Sequence, residues 1–407
     1  MSAPITSFAE LNRAYGEIFH LNDECVLPLL ASVVVCGKAS ALRHVWLYLI
    51  GPSSGGKGSL LSAFGQVGFC SYISDFTPNT LLSGAQSSAG ETSLLKRLGT
   101  NFVILMKEFT SILSKSPETQ DQLMGQLREV YDGYLRKETG LGKTVEWGTS
   151  KQPNRSVFIM ASTEAIYKVQ EKFSEMGSRG LNYVMHDADR IASTLVAMRK
   201  SKGFDAQIAD LQVRVANYVA GCVRDLPAEF PELDPALEGK IAAVSEFVTR
   251  ARSIVTRDFR GQKQLALSAE MPMRVATQLQ TAAKMLIHLN GGRCEDWITK
   301  TIMKCALDCI PKQSNLVLRC LAQHAKANTG GVAQRIGYPE ERCTEWLENL
   351  NMHGVVDAHK SGGRMYWSLR EDYRTLLAEQ LHLEKLTGSL EADGDDWAQM
   401  GTGNYAV

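Results

Sequence analysis

The stretch LYLIGPSSGGKGSLLSAFG, residues 47–65, decides the fold of this chain. An apolar strand leads into a glycine-rich turn that ends at Gly56 and Lys57, and a helical pattern follows. The G-x-x-x-x-G-K spacing is that of a phosphate-binding loop, in which backbone N–H groups and a helix N-terminus surround a phosphate and the lysine reaches the outer phosphates. A ligand-free glycine-serine turn is the alternative, but the flanking strand and helix favour nucleotide binding. The predicted nucleotide-binding residues are Gly51, Pro52, Ser53, Ser54, Gly55, Gly56, Lys57, Gly58 and Ser59.

One position departs from the usual loop. Gly58 stands where a serine or threonine normally ligates Mg²⁺. Nucleotide kinases resembling adenylate kinase carry the hydroxyl one place later, which is where Ser59 stands. We therefore expect the loop to bind a nucleotide, and Ser59 is the predicted Mg²⁺ ligand on this side of the site.

Composition excludes several classes of protein. The chain has 407 residues, 44% of them hydrophobic, so it is long enough for two or three domains with real cores. Lys plus Arg and Asp plus Glu both number 44, so any contact with nucleic acid must come from local patches. Nine scattered cysteines without CxxC pairs favour a reduced, cytoplasmic protein, and Cys305 with Cys309 is interpreted as core. No apolar run approaches the ~20 residues of a membrane span.

An apolar strand delivers the next candidate. NFVILMKEF, residues 101–109, is nearly all apolar and ends at Lys107 and Glu108. A Walker B strand ends in an acid that holds Mg²⁺ or polarises a water beside the phosphates, so Glu108 is predicted in that role. Lys107 is anomalous, because two acids are usual there. A core strand that ends at a solvated Lys-Glu pair is the alternative.

Strands and helices alternate from residue 45 to about 163, with four apolar strands at VWLYLIG, GFCSYISDF, NFVILMKEF and RSVFIMAST. This alternation predicts a mostly parallel sheet with helices on both faces. From about 205 to 300 the strands stop and amphipathic helices follow, and from 312 to 377 three helices precede a hairpin with its turn at 361–363. The last twenty residues are acidic and glycine-rich.

Four segments together resemble a known family. SDFTPNTLLSG, KEFTSILS, LREVYDGYLRKETG and EMPMRVATQL are similar to AAA+ ATPases of phages, plasmids and mobile genomic islands, which are replicative helicases similar in plan to the minichromosome maintenance helicases. The resemblance spans residues 20 to 375. It implies an α/β fold with an AAA+ P-loop core, a helical lid and a C-terminal winged helix. The implied domains are an N-terminal helical segment (1–44), the ATPase core (45–204), the lid (205–310), the winged helix (311–377) and an acidic tail (378–407).

The resemblance also assigns roles to single residues. Ser162 and Thr163 take the sensor 1 position, where a polar side chain orients the attacking water. Arg179, in SEMGSRGLNYVM, matches the arginine finger, which stabilises charge on the γ-phosphate of a neighbouring subunit. Arg274, after the proline in EMPMR, matches sensor 2. Without the resemblance, Arg179 and Arg274 would both be interpreted as solvated arginines.

An arginine finger requires subunits that meet around a ring, so the resemblance implies a homo-oligomer, and a hexamer is expected. Residues 134–148 read as a hairpin around 140–142, and an insert at this place in helicase-like AAA+ proteins projects into the channel and grips one DNA strand. Arg136, Lys137 and Lys143 would then contact phosphates of single-stranded DNA. A solvated hairpin is the alternative.

In the C-terminal unit, the expected recognition helix is acidic, with Glu340, Glu341 and Glu345, which phosphates would repel. The hairpin residues His359, Lys360 and Arg364 are better candidates for DNA contact. Protein contact is an equal alternative for this unit.

The expected function is an ATP- and Mg²⁺-dependent DNA helicase or translocase that acts in replication of a mobile element or bacteriophage, with possible replication proteins as partners. An AAA+ loader that acts on a protein, and an ATP-binding regulator of DNA with weak hydrolysis, remain alternatives. A nucleotide kinase ranks last because no acceptor lid is recognisable.

Overall fold

The computed structural model describes residues 3–21, 23–85, 91–138, 143–167, 179–185, 190–198, 203–253, 255–257, 263–266 and 269–381. The chain divides into two compact units, Met1–Asn315 and Leu316–Val407. Two predicted features, the hairpin tip at 140–142 and most of the acidic tail, lie outside the described residues.

The larger unit contains nine described strands. They are β1 (Trp46–Ile50), β2 (Cys70–Tyr72), β3 (Phe102–Met106), β4 (Leu135–Glu138), β5 (Thr144–Trp147), β6 (Ser156–Ser162), β7 (Gly180–Val184), β8 (Val255–Arg257) and β9 (Lys263–Ala266). Five of them form a sheet with the order β2-β3-β6-β1-β7, and every pair in it is parallel. Strand β1 has later strands on both sides, and ligands of open α/β sheets bind beyond the carboxyl end of a strand in such a place.

Helices flank this sheet. The described ones are α1 (Phe8–Gly16), α2 (Val26–Cys36), α3 (Lys57–Ser62), α4 (Pro78–Leu81), α5 (Leu94–Leu98), α6 (Thr110–Leu113), α7 (Pro117–Asp132), α8 (Arg190–Met198), α9 (Phe204–Arg224), α10 (Pro235–Ala251), α11 (Met273–Leu289) and α12 (Asp296–Asp308). Every residue of α2 is buried, as expected for a helix that is apolar all round. It packs against β6 and α11. The predicted mixed α/β fold with a parallel sheet covered by helices is confirmed.

Local signals explain where α7 begins and ends. The Ser116 side chain accepts the Thr119 N–H, and Pro117 is the first helical residue. Gly133 ends the helix with a φ of 93°, a left-handed conformation that glycine adopts without strain. The end of α7 is therefore fixed by sequence, and with it the start of the β4–β5 hairpin.

Two predictions about strands are wrong. The sheet has a fifth strand, β7, in the segment matched to the arginine finger, where no strand was predicted. The strands also do not stop at 205, because β8 and β9 pair as a short hairpin within the predicted helical region. Strands β8 and β9 have three and four residues, too few for a periodicity to be recognised. Strand β7, GLNYV, contains a glycine and an asparagine that interrupt its apolar run.

The described part of the smaller unit has three strands in the order β10-β12-β11, all antiparallel. They are β10 (Ala327–Asn328), β11 (Val356–Ser361) and β12 (Arg364–Leu369), and the helices of this region are α13 (Lys312–Gln323), which crosses the division between the units, α14 (Thr329–Ile336), α15 (Glu340–Met352) and α16 (Glu371–Leu381). The Trp367 indole N–H donates to Thr329 Oγ1 at 2.9 Å inside this unit. Gly362 and Gly363 both have positive φ, as tight hairpin turns require, so the predicted turn is confirmed.

Candidate functional site

Residues 51–56 connect β1 to α3 at the carboxyl edge of the sheet. The Gly51 N–H donates to Ser162 O at 3.2 Å, which ties the loop to the end of β6. A Cβ at Gly55 would lie 3.0 Å from Pro52 O, and Gly56 has a φ of 79°. The glycines are therefore needed for this turn. Helix α3 has only six residues, so its dipole contributes little to a site here.

Lys57 is folded back onto its own loop. Its Nζ donates to Gly51 O at 2.9 Å and to Pro52 O at 2.5 Å, and only 7% of the residue is exposed. Burial lowers the pKa of the Lys57 amine, and the Glu108 carboxylate opposes that shift. Glu108 follows β3, and the next residue, Phe109, donates its N–H to Ala161 O of β6 at 2.7 Å, so Glu108 stands at the same carboxyl edge of the sheet as the loop.

Lys107 points elsewhere. Its Nζ lies 4.6 Å from the centroid of the Tyr72 ring, and the Tyr72 hydroxyl donates to Leu61 O at 2.5 Å. The cation is therefore held against an aromatic face. Lys107, the anomalous residue of the predicted Walker B strand, therefore contacts a ring outside the predicted site. Glu108 is the one acid at the end of that strand.

The two sensor 1 candidates differ in access. Ser162 is fully buried, and among the described residues its Oγ has no hydrogen-bond partner. Thr163 follows β6, is partly exposed, and its Oγ1 accepts the Ala165 N–H at 3.4 Å. Register pairs Ser162 with Ile50 at the end of β1. Both residues lie at the same sheet edge as the loop, and Thr163 is the more accessible of the two.

Arg179 lies at the opposite end of the sheet from the loop, where the parallel strands begin. It precedes Gly180, which pairs with Trp46, the first residue of β1. Five strand residues, about 16 Å of extended chain, separate that end from the loop. The Arg179 Nη2 lies 3.3 Å from Asp132 Oδ2 of α7, and 15% of the arginine side chain is exposed. The structure does not bring Arg179 to Lys57 of the same chain.

Arg274 belongs to the same cluster as Arg179. Its Nη1 lies 2.5 Å from Glu270 Oε1, and the other Glu270 oxygen lies 2.5 Å from Arg252 Nη2. Burial raises the pKa of Tyr131, while Gln278 and the charges of Arg274 and Arg179 oppose that shift. Arg274 precedes Gln278 by one turn of α11, and Gln278 contacts both Tyr131 and the Arg179 carbonyl, which places the two arginines in one cluster.

Gln278 connects this cluster to β7. Its Nε2 donates to Tyr131 Oη and to Arg179 O, both at 2.8 Å. Glu270 stands only four residues before Arg274, so its spacing was readable in the sequence. Asp132 and Gln278 were missed because their partners lie 47 to 147 residues away along the chain. No periodicity or motif encodes such a contact.

The three predicted hairpin cations have different environments. Strands β4 and β5 pair as predicted, with Arg136 opposite Glu146. The Arg136 guanidinium contacts Glu138 at 2.9 Å, with both side chains mostly exposed. The Lys137 amine instead donates to Pro78 O and Leu82 O, and burial lowers its pKa. Lys143 is exposed. Only Arg136 and Lys143 stand where a phosphate could reach them.

The predicted cations of the smaller unit are exposed. His359, Lys360 and Arg364 lie around the β11–β12 turn, and the His359 ring contacts Ser368 Oγ at 3.3 Å. Tyr366 pairs with His359 across the strands, and Lys326 Nζ lies 4.9 Å from the Tyr366 ring. The structure thus groups the predicted cations with an aromatic ring and a lysine that the sequence did not single out.

The residues at the carboxyl edge fit a nucleotide and a metal ion. The buried Lys57 amine donates hydrogen bonds to the Gly51 and Pro52 carbonyls. A phosphate would be a stronger hydrogen-bond acceptor for it than these neutral carbonyls. Within the described residues, no three His, Cys, Asp or Glu side chains form a metal site. Mg²⁺ needs none, because it binds through one or two protein ligands, phosphates and water. Ser59, half-buried on α3, and Glu108 are oxygen ligands of the required kind.

Comparison with known proteins identifies no family for this chain and finds only distant structural similarity. No protein-family model matches the chain, and no curated protein matches it. A full-length MCM homolog from Methanopyrus kandleri is similar at 12% identity and a TM-score of 0.39, over 75% of this chain and 58% of that one. The chain therefore spans little more than half of that protein. The C-terminal region of NrS-1, in its A form apo structure, is similar at 13% identity and a TM-score of 0.29, over 90% of this chain and 76% of that one. Both TM-scores are too low to establish a shared activity or assembly.

Among the described residues, no helix has the length and apolar content to cross a membrane.

Proposed function

We propose that this chain is an ATP hydrolase that moves along or unwinds DNA, and that it acts as a ring in the replication of a phage or another mobile element. The observation that carries the proposal is the loop at the carboxyl end of β1, where the buried Lys57 amine and the Glu108 carboxylate stand at the same edge of the sheet. A phosphate-binding loop and a single acid at one sheet edge are the minimal equipment for hydrolysis of a phosphoanhydride.

The proposal assigns a role to each residue of the site. Lys57 leaves the Gly51 and Pro52 carbonyls and binds the outer phosphates of ATP. Glu108 would orient the attacking water or hold Mg²⁺, and Ser59 would supply a second oxygen ligand for the ion. Thr163 orients the water from β6. Bound Mg²⁺ would neutralise charge on the phosphates.

The site is completed by a second copy of the chain. Arg179 lies at the amino end of the sheet, away from Lys57 of its own chain, and Arg274 stands one helical turn before Gln278, which contacts the Arg179 carbonyl. Presented together to a neighbouring copy, they would stabilise charge on its γ-phosphate, a contribution of about 10³-fold or more in other NTPases. A closed ring, proposed as a hexamer, gives every copy one such neighbour.

DNA is assigned to two surfaces. Arg136 and Lys143 on the β4–β5 hairpin would pair with the phosphates of a single strand in the ring channel. The helical region from 205 to 310 would act as the lid, and the smaller unit as a winged helix. In that unit His359, Lys360 and Arg364 would contact DNA.

A loader that acts on a protein is the second candidate. Lys137 is engaged by carbonyls of its own chain, and α15 starts with Glu340 and Glu341. Both features weaken a DNA-binding role and leave the ATPase intact. Turnover stimulated by a protein and indifferent to DNA would favour this candidate.

The test is the ATP turnover of the native chain and of Lys57→Ala, with and without single-stranded DNA. The proposal expects DNA to stimulate the native chain and the substitution to abolish turnover. Equal slow rates for both proteins would reject it.

A further inference from the structure

Two carboxylates lie against the two arginines that the proposed function assigns to a neighbouring copy. Arg179 contacts Asp132 through one N–O pair at 3.3 Å, and Arg274 contacts Glu270 through one pair at 2.5 Å. Neither contact is the two-bonded fork that makes arginine–carboxylate pairs strong. Each carboxylate therefore holds its arginine through one contact rather than through the two-bonded fork.

Breaking these two ion pairs costs little free energy on the side of the carboxylates. Asp132 is 45% exposed, so water can solvate its carboxylate once Arg179 leaves. Glu270 is 21% exposed, but its second oxygen is bound by Arg252, which is 10% exposed. Release of Arg274 thus leaves no buried, unpaired charge, which is the usual penalty for breaking such a pair.

The backbone beneath Arg179 does not need to move. Gln278 holds Arg179 O, and the next residue is paired in β7. An exchange of partners is therefore a change of side-chain rotamer on a fixed support, and a triphosphate with several charges is a stronger partner than one half-exposed carboxylate.

We infer that two carboxylates, those of Asp132 and Glu270, hold the arginines in a resting position until a second copy brings its bound nucleotide. The acids compete with the neighbour's phosphates for the same guanidinium groups. A single chain, or a loosely assembled ring, thereby keeps its arginines withdrawn, and hydrolysis depends more steeply on assembly. The inference rests on the proposed function and adds its regulation.

The experiment measures ATP turnover per chain over a range of chain concentrations for the native protein and Asp132→Asn. The amide keeps the shape of the side chain and removes its charge. Because half-exposed pairs are weak, we expect turnover below the assembly midpoint to rise about two- to fivefold, and the midpoint to fall by a similar factor. Glu232→Gln is the matched control, since Glu232 also pairs with a mostly buried cation, Lys284, and it should change neither quantity.

A purely structural acid gives the opposite result. If Asp132→Asn leaves turnover unchanged or lowers it while melting like the native protein, the inference is overturned and Asp132 serves to position Arg179. If Asp132→Asn does not fold, Glu270→Gln must raise turnover at low concentration for the inference to stand, and unchanged or lower turnover overturns it. Absence of turnover in the native chain at every concentration would overturn the proposed function and, with it, the inference. Native turnover that Asp132→Asn does not raise overturns the inference alone.

Discussion

Arg179 and Lys57 lie at opposite ends of the strands of one parallel sheet, Arg179 at the amino end and Lys57 at the carboxyl end. Gly180, next to Arg179, pairs with the first residue of β1, and the loop that carries Lys57 follows its last residue, Ile50. The length of β1 separates them, so the arginine has no route to the phosphates of its own chain. Any role for Arg179 in hydrolysis must be exercised on another copy.

Lys107 and Glu108 are expected to behave differently on substitution. Glu108→Gln should retain ATP binding and reduce turnover by at least about 100-fold, because the group that orients the water or metal is lost. Lys107→Ala should leave ATP affinity within about twofold of native, since Lys107 rests on Tyr72 and loses only a surface contact of about 0.5–1 kcal/mol. ATP titration and steady-state turnover check both. A large loss of ATP affinity in Lys107→Ala would place the lysine at the phosphates.

The hairpin cations should separate by their environments. Arg136→Ala and Lys143→Ala should each reduce the salt dependence of single-stranded DNA binding by about one unit of slope. Lys137→Ala should leave that slope unchanged and lower the melting temperature, because its amine holds Pro78 O and Leu82 O. Fluorescence anisotropy at several salt concentrations measures the slopes. A reduced slope in Lys137→Ala with native melting would contradict this assignment.

Gly148 at the base of the hairpin should not tolerate a side chain. It has a φ of 67°, and a Cβ there would lie 2.1 Å from Gly133 O, so the backbone would have to move. We expect Gly148→Ala to cost about 3 kcal/mol or more of unfolding free energy. Gly125→Ala is the control: the nearest atom to its Cβ lies 3.9 Å away, within α7, and alanine should stabilise that helix by about 0.5–1 kcal/mol. Equal urea midpoints for the two variants would show that the base is not closely packed.

His44 should make the protein sensitive to acid. Burial, together with the charge of Arg155, lowers its pKa to about 4, and its Nε2 contacts Tyr131 O at 2.8 Å. The unfolded chain, with a histidine pKa of about 6.5, binds more protons below that pH. Stability present above about pH 6.5 is therefore lost as the pH falls towards 4, by up to about 3 kcal/mol. His44→Gln should flatten this part of the stability curve in urea unfolding, and parallel curves for native and variant would refute the buried neutral histidine.

The sequence predicted what local patterns encode. Apolar runs predicted four of the five strands of the parallel sheet, and two glycines predicted the turn between β11 and β12. The G-x-x-x-x-G-K spacing placed Lys57 at the end of β1. These features depend on neighbours within a few residues.

What the sequence missed depends on distant residues. Strand β7 is five residues long and owes its place to β1, more than 130 positions earlier. Lys137 is withdrawn from the predicted DNA surface by carbonyls 59 and 55 positions away. Asp132 meets Arg179 47 positions along the chain. Such contacts follow from the assembled sheet and leave no local signal.

The most direct test of a site shared between copies mixes two inactive chains. Lys57→Ala keeps Arg179, and Arg179→Ala keeps Lys57, so each protein alone lacks one half of every site. If the halves come from different copies, random assembly of equal amounts leaves roughly one interface in four complete, and the mixture should recover roughly that share of native turnover. A mixture as inactive as its two components, under conditions where mixed assemblies form, would contradict the account.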